Sequence, residues 1–152
     1  MLMGFLSRTP VRTFLVYPLI TLLWELLIHA GAVKVNFWFL PLMIWGYLQY
    51  RLCGKYRNTH GGGGPGPEVP AERLVSTGLY AYTRNPMYLG HIIFLAGLSL
   101  TLKSWFAAVI TLAVAIWFHF HVLADEASLA RQLGAPYVAY TRGVRRWIPW
   151  LF

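Results

Sequence analysis

Charge is scarce in this sequence, and acid scarcest: 12% of its 152 residues are charged, and Asp and Glu together number five. A soluble domain carries roughly 25% charged residues, so this chain has too little polar surface to cover itself in water. Cysteine is almost absent. With Cys53 alone, an intramolecular disulfide and a thiolate metal cluster are both excluded. Length sets a further limit, because 152 residues leave room for one domain, whose apolar content lies in separated runs rather than around a soluble core.

What is present is grease: 57% of the residues are apolar. Four apolar runs can be drawn, at about 14–28, 35–50, 87–102 and 105–123. Each is slightly short of the roughly 20 residues of an upright span, a gap that flanking aromatics and local thinning can absorb. Trp38, Tyr47, Tyr50, Trp105 and Trp117 stand near run ends, where rings favour the headgroup level. In lipid only helices or closed barrels pair every backbone group, so the runs read as helices. The short connection Gly31 to Lys34 and the two-residue join Lys103-Ser104 each imply an antiparallel hairpin. Met87, Gly90, Gly97 and Ser99 offer small or pliant surface for close packing of the third helix. The expected fold is an all-α membrane protein: four transmembrane helices as two antiparallel hairpins, followed by C-terminal cytoplasmic amphipathic helices. It is one integral-membrane domain over 1–152.

The formal charge of +8 could suggest nucleic-acid binding, but the cations are distributed as in a membrane protein. Arg8 and Arg12 precede the first run; Arg51, Lys55, Arg57, Arg73 and Arg84 lie between the second and third; Arg131, Arg142, Arg145 and Arg146 follow the fourth. Only Lys34 and Lys103 face the other side. By the positive-inside rule both termini and the middle loop are cytoplasmic, and no nucleic-acid partner is expected. A signal-peptide reading of the first run, cleaved near Ala30-Gly31-Ala32, conflicts with Glu25 inside it and would reverse this asymmetry.

Between the hairpins the segment 54–78 reads as a cytoplasmic loop. It contains Gly61-Gly62-Gly63-Gly64-Pro65-Gly66-Pro67 and then Glu68-Val69-Pro70. No Lys-Ser or Lys-Thr follows the glycines and no strand precedes them, so a phosphate-cradling turn fails and a mobile connector or lid is the better reading. In the C-terminal segment 125–152, Leu129 and Leu133 recur four apart, Gly134 is placed to end a helix, and Pro136 to start another bearing Tyr137, Tyr140 and Val144. Trp147-Ile148-Pro149-Trp150-Leu151-Phe152 reads as an interface anchor.

Polar groups near a membrane interior are costly and draw attention as functional candidates. Glu25 and His29 share a helix face and are expected to bond each other. His119 and His121 are two apart, on different faces, so shared metal ligation is not expected, and His91 has no assigned role. The stretch Leu74-Val75-Ser76-Thr77-Gly78-Leu79-Tyr80-Ala81-Tyr82-Thr83-Arg84-Asn85-Pro86-Met87-Tyr88-Leu89-Gly90 is richer. It sets a helix N-terminus and a guanidinium, both suited to a carboxylate, beside tyrosines suited to an adenine or a sulfonium. An ordinary helix start with Arg84 among headgroups accounts for it equally well.

Arg84-Asn85-Pro86-Met87-Tyr88-Leu89-Gly90 resembles the Arg-His-Pro-x-Tyr-x-Gly signature of the integral-membrane methyltransferases that include isoprenylcysteine carboxyl methyltransferase and the phospholipid N-methyltransferases. Asp125-Glu126 with Leu129, Gly134, Tyr137, Tyr140, Arg145 and Pro149 resembles the second element of that family, and the likeness covers about Leu74 to Pro149. It implies an enzyme that uses S-adenosylmethionine, without metal, to methylate a lipophilic or lipid-linked carboxylate, thiol or amine in a prokaryotic inner membrane. The cofactor would enter from the cytoplasm and the acceptor from the membrane lipids. It further implies that Leu74, Val75, Gly78, Leu79 and Tyr80 line an adenosine pocket, that Arg84, Asn85, Pro86, Tyr88 and Gly90 hold the methionine end, and that Asp125 or Glu126 accepts its ammonium. Arg84 and Glu126 would be catalytic, and His121 would face the acceptor. Asn85 replaces the motif His and Asp125 the first Glu; since Asn takes no proton, catalysis would rest on positioning. Two alternatives stay open: an NADPH-dependent membrane reductase, for which Arg142, Arg145 and Arg146 could bind the extra phosphate, and a non-catalytic membrane subunit.

Overall fold

The computed structural model of the chain describes residues 8–62 and 72–148. Residues 63–70 of the glycine-proline connector, and residues 149–152 of the expected interface anchor, lie outside these. Among the described residues the fold is all helical, with helices α1 (Thr9–Ile28), α2 (Leu40–Gly61), α3 (Pro86–Leu102), α4 (Trp105–Leu133) and α5 (Ala135–Gly143). By length and composition α1 and α4 are able to cross a membrane, while α3 is apolar but shorter.

Local chemistry explains most boundaries. Pro18 has no N–H to donate, and α1 answers with a π-helical stretch over Arg12–Val16, where the Tyr17 N–H reaches the Arg12 carbonyl. Helix α2 starts at Leu40, not at 35. A helix begun at Val35 would need an amide donor at Pro41; instead a 3-10 turn (Phe37–Phe39) precedes α2, with the Asn36 side chain accepting the Trp38 N–H. At its other end α2 continues through Gly54 to Gly61, so part of the expected 54–78 loop is helix. Helix α3 ends on Lys103 at φ +50, with Ser104 N–H bonded to Ser99 O and Lys103 N–H to Leu100 O, and Ser104 Oγ then caps α4 by accepting the Ala107 N–H. The fourth helix does not stop near 123 but runs on to Leu133. There Gly134, at φ +64, breaks the chain and Pro136 opens α5, as expected.

The chain divides into two compact units, residues 1–48 with 90–116 and residues 49–89 with 117–152. In the first, α2 and α3 approach at glycines: a Cβ on Gly46 would sit 2.6 Å from Gly90 O, and one on Gly97 2.8 Å from Met43 N. This is the small-residue packing expected of α3, matched by a glycine on its neighbour. Phe14 packs edge-on against Tyr47 and Phe94 and stacks on buried His91. Buried Glu25 meets His29 at 3.2 Å, as expected, and also accepts the Ser104 hydroxyl.

The second unit carries the chemistry-bearing residues. Its small core is Cys53, Val75 and Tyr80, with Tyr56 and Met87 packed against it.

Candidate functional site

In the second unit a cleft opens above that core, lined by residues of α2, the 73–80 segment, the start of α3, the far half of α4, and α5. Counted out to its open mouth, solvent included, it spans about 900 Å³.

The wall below α3 is built from short-range bonds. Arg73 N–H donates to Gly61 O, which returns the chain to the end of α2. Tyr56 Oη and Thr77 Oγ1 are 2.7 Å apart, and Gly78 (φ +63) turns the backbone close to the Tyr56 ring into a 3-10 turn, Gly78–Ala81. Gln49 donates to Pro86 O across 2.8 Å, pinning the first residue of α3. Tyr140 donates from α5 to the Tyr80 carbonyl.

The polar centre is Glu126. Its Oε1 accepts Asn85 Nδ2 at 3.2 Å and lies 3.2 Å from Arg84 Nε, an ion contact without hydrogen-bond alignment. Its Oε2 accepts both Nε and Nη2 of Arg146, at 3.1 and 2.9 Å. The segment after α5 is fastened to the same place, since Arg84 N–H donates to Arg145 O, Thr83 Oγ1 to Arg146 O, and Asn85 Nδ2 also to Arg146 O. Thus both described bonds of the Asn85 amide are structural, which gives a positional reason for Asn where the resembled motif has His.

Asp125 differs from its neighbour. Its Oδ2 accepts the Tyr88 hydroxyl at 2.9 Å and lies 3.9 Å from His121 Nε2. No guanidinium contact to it is described. Burial pushes the Tyr137 hydroxyl up to about 12, helped by the nearby Glu126 charge, and burial likewise raises Tyr80 and Tyr140, so these rings act as neutral donors.

Of the residues singled out from sequence, the cleft brings together Leu74, Val75, Tyr80, Arg84, Asn85, Tyr88, Asp125 and Glu126. It does not include Gly78, Leu79, Pro86, Gly90 or His121. Gly78 and Pro86 shape its wall, Gly90 packs against Gly46 in the other unit, and His121 stands one turn from Asp125. Arg57, Arg73, Met87, Ser128, Leu129, Leu133, Tyr137 and Tyr140 also line it. Of these, Leu129, Tyr137 and Tyr140 were visible as parts of the second motif. Arg57 and Arg73 were two cations in a basic loop, with nothing in their spacing to single them out.

Residues 62–135, just under half of the chain, match the family model described as phospholipid methyltransferase. The match begins before Leu74 and ends before Pro149, covering α3, α4 and the 73–80 wall while leaving out α5 and Arg146. It agrees with the resemblance read from the two motifs and, with the two helices long and apolar enough to cross a membrane, supports a methyltransferase-like membrane protein. No curated protein matches the chain significantly.

Proposed function

We propose that the chain transfers a methyl group from S-adenosylmethionine to a lipid-related acceptor, with the cofactor held in the cleft of the second unit. The observation that carries this reading is the division of charge around the cleft. Asp125 lines it together with Arg57, Arg73 and Arg84 and has no guanidinium contact among the described bonds, while Glu126 is taken up by Arg84 and Arg146. A zwitterionic amino acid needs a carboxylate for its ammonium and a guanidinium for its carboxylate, and the lining supplies both. Asp125 is therefore the ammonium acceptor, Arg57 and Arg73 with Arg84 hold the carboxylate, and Leu74, Val75, Tyr80, Tyr137 and Tyr140 offer apolar and aromatic surface for the adenosine.

When bound, the cofactor supplies an electrophilic methyl on a sulfonium. The residues of the chain position the two reactants and exclude water, which raises the effective concentration of the acceptor and strengthens electrostatics in the site. In this reading α1 to α4 are four spans in two antiparallel hairpins, with both termini cytoplasmic. The cofactor arrives from water and the acceptor from the bilayer.

The test is calorimetric titration of purified protein with S-adenosylhomocysteine and, separately, NADPH. Saturable one-to-one binding of S-adenosylhomocysteine alone supports the proposal. Binding of NADPH alone would assign the arginines to its phosphate and favour a reductase, and binding of neither would leave a non-catalytic subunit.

A further inference from the structure

His121 lies near the end of the apolar stretch of α4, one turn before Asp125. Its ring is stacked on Trp117, with centroids 5.0 Å apart and planes 12° from parallel, and meets Tyr88 edge-on at 6.1 Å. Asp125, one turn on, faces its Nε2 at 3.9 Å. Asp125 on α4 and Tyr88 on α3 are the titratable groups described as facing it.

The Trp117 ring and the Asp125 carboxylate, on the same helix, fix how the imidazole is turned. With Nε2 turned to Asp125, Nδ1 is on the opposite side of the ring. His121 adjoins the cleft through its lining residues Tyr88 and Asp125, and the cleft itself has few groups able to take a proton. Asn85 has no basic nitrogen, Tyr80, Tyr137 and Tyr140 hold their protons, and Glu126 is committed to two guanidiniums.

We infer that His121, oriented by Asp125, is the base that takes the proton a methyl acceptor must lose. The acceptor is then one that arrives protonated, an ammonium or a thiol, rather than a carboxylate already ionised. Its N–H or S–H bond breaks, the electron pair stays on that atom, and the proton goes to Nδ1. The freed pair forms the bond to the methyl carbon as the carbon–sulfonium bond breaks, leaving its pair on sulfur. The half-exposed ring returns the proton to water. Asp125 serves both roles because a carboxylate has about four acceptor sites: Oδ2 faces His121 and Tyr88, and Oδ1 remains for the cofactor's ammonium.

The inference rests on the methyltransferase reading, so the experiment separates the two. Wild type and His121→Gln are titrated with S-adenosylhomocysteine and then assayed with labelled S-adenosylmethionine on phosphatidylcholine vesicles containing either phosphatidylethanolamine or oleate. The expected result is equal binding by both proteins and methylation of the amine by wild type in preference to oleate. His121→Gln should show a loss on the order of 100-fold, partly restored by added imidazole. A readout independent of turnover is nitrogen NMR of labelled histidine: the neutral His121 ring should be held as the Nε2–H tautomer and become mixed in Asp125→Asn. The base role is overturned by His121→Gln working at full rate, by oleate preferred to the amine, by a tautomer unaffected by Asp125→Asn, or by a wild type that binds S-adenosylhomocysteine and methylates neither lipid. Absence of S-adenosylhomocysteine binding by wild type would instead remove the cofactor reading on which the base depends.

Discussion

Arg146 lays Nη2 2.9 Å and Nε 3.1 Å from a single oxygen of Glu126, joining the segment after α5 to the far half of α4. The other oxygen of Glu126 meets Asn85 and Arg84 at the mouth of α3. One carboxylate therefore ties three parts of the second unit together, and its side chain is only 11% exposed.

Replacing Glu126 with Gln keeps the shape and removes the charge that two guanidiniums share. The expected cost is about 2–3 kcal/mol, toward the lower end for a broken ion pair because Arg146 is partly solvated. Arg146→Met should cost less, since Glu126 would still face Arg84. Denaturant unfolding of both variants in one detergent checks the order, and equal stability to wild type would remove Glu126 from its tying role.

Asp125→Asn is expected to act on the cofactor rather than on the fold. The variant keeps an oxygen for the Tyr88 hydroxyl but loses the negative charge facing the cleft. S-adenosylhomocysteine affinity should fall about tenfold or more, the equivalent of a lost charge-assisted hydrogen bond, with little change in unfolding. Calorimetry on the variant measures it directly.

Glycine positions should separate sharply. Gly46→Ala places a methyl 2.5 Å from Phe94 N and Gly97→Ala one 2.8 Å from Met43 N, both backbone atoms that can only move with a helix. Each should cost about 1–3 kcal/mol as overpacking. Gly143→Ala, near the end of α5 with nothing within 4 Å of the added carbon, should be neutral or slightly stabilising. Thermal unfolding of the three variants gives the comparison.

Cys53 offers a labelling prediction, because its thiol is buried beside Val75 and Tyr80. At neutral pH a water-soluble maleimide should label Cys53 far more slowly in the folded protein than after denaturation. Equal rates would contradict the burial.

Hydropathy alone made α1, α3 and the first half of α4 legible, because long apolar runs need no partner to be recognised. The ends of α2 were hidden: Pro41 moves its start past the apolar residues at 35–39, and its last turns are too polar to read as a continuation. The extension of α4 beyond 123 was hidden for another reason. Asp125 and Glu126 lower the local hydropathy, yet Tyr88, Arg84, Asn85 and Arg146 satisfy them in place, so the helix has no need to stop. At the site, motif spacing signalled that Arg84 and the acidic pair belong together. The part played by Arg146 was not legible, since the long-range pairing with Glu126 leaves no mark in local sequence.

The most direct measurement is transfer of labelled methyl from S-adenosylmethionine into a total membrane-lipid extract by the purified chain, beside Asp125→Asn. The account predicts label in the organic phase with wild type and a strong reduction with the variant. Label that stays in water with wild type, or that enters lipid equally fast with Asp125→Asn, would contradict it.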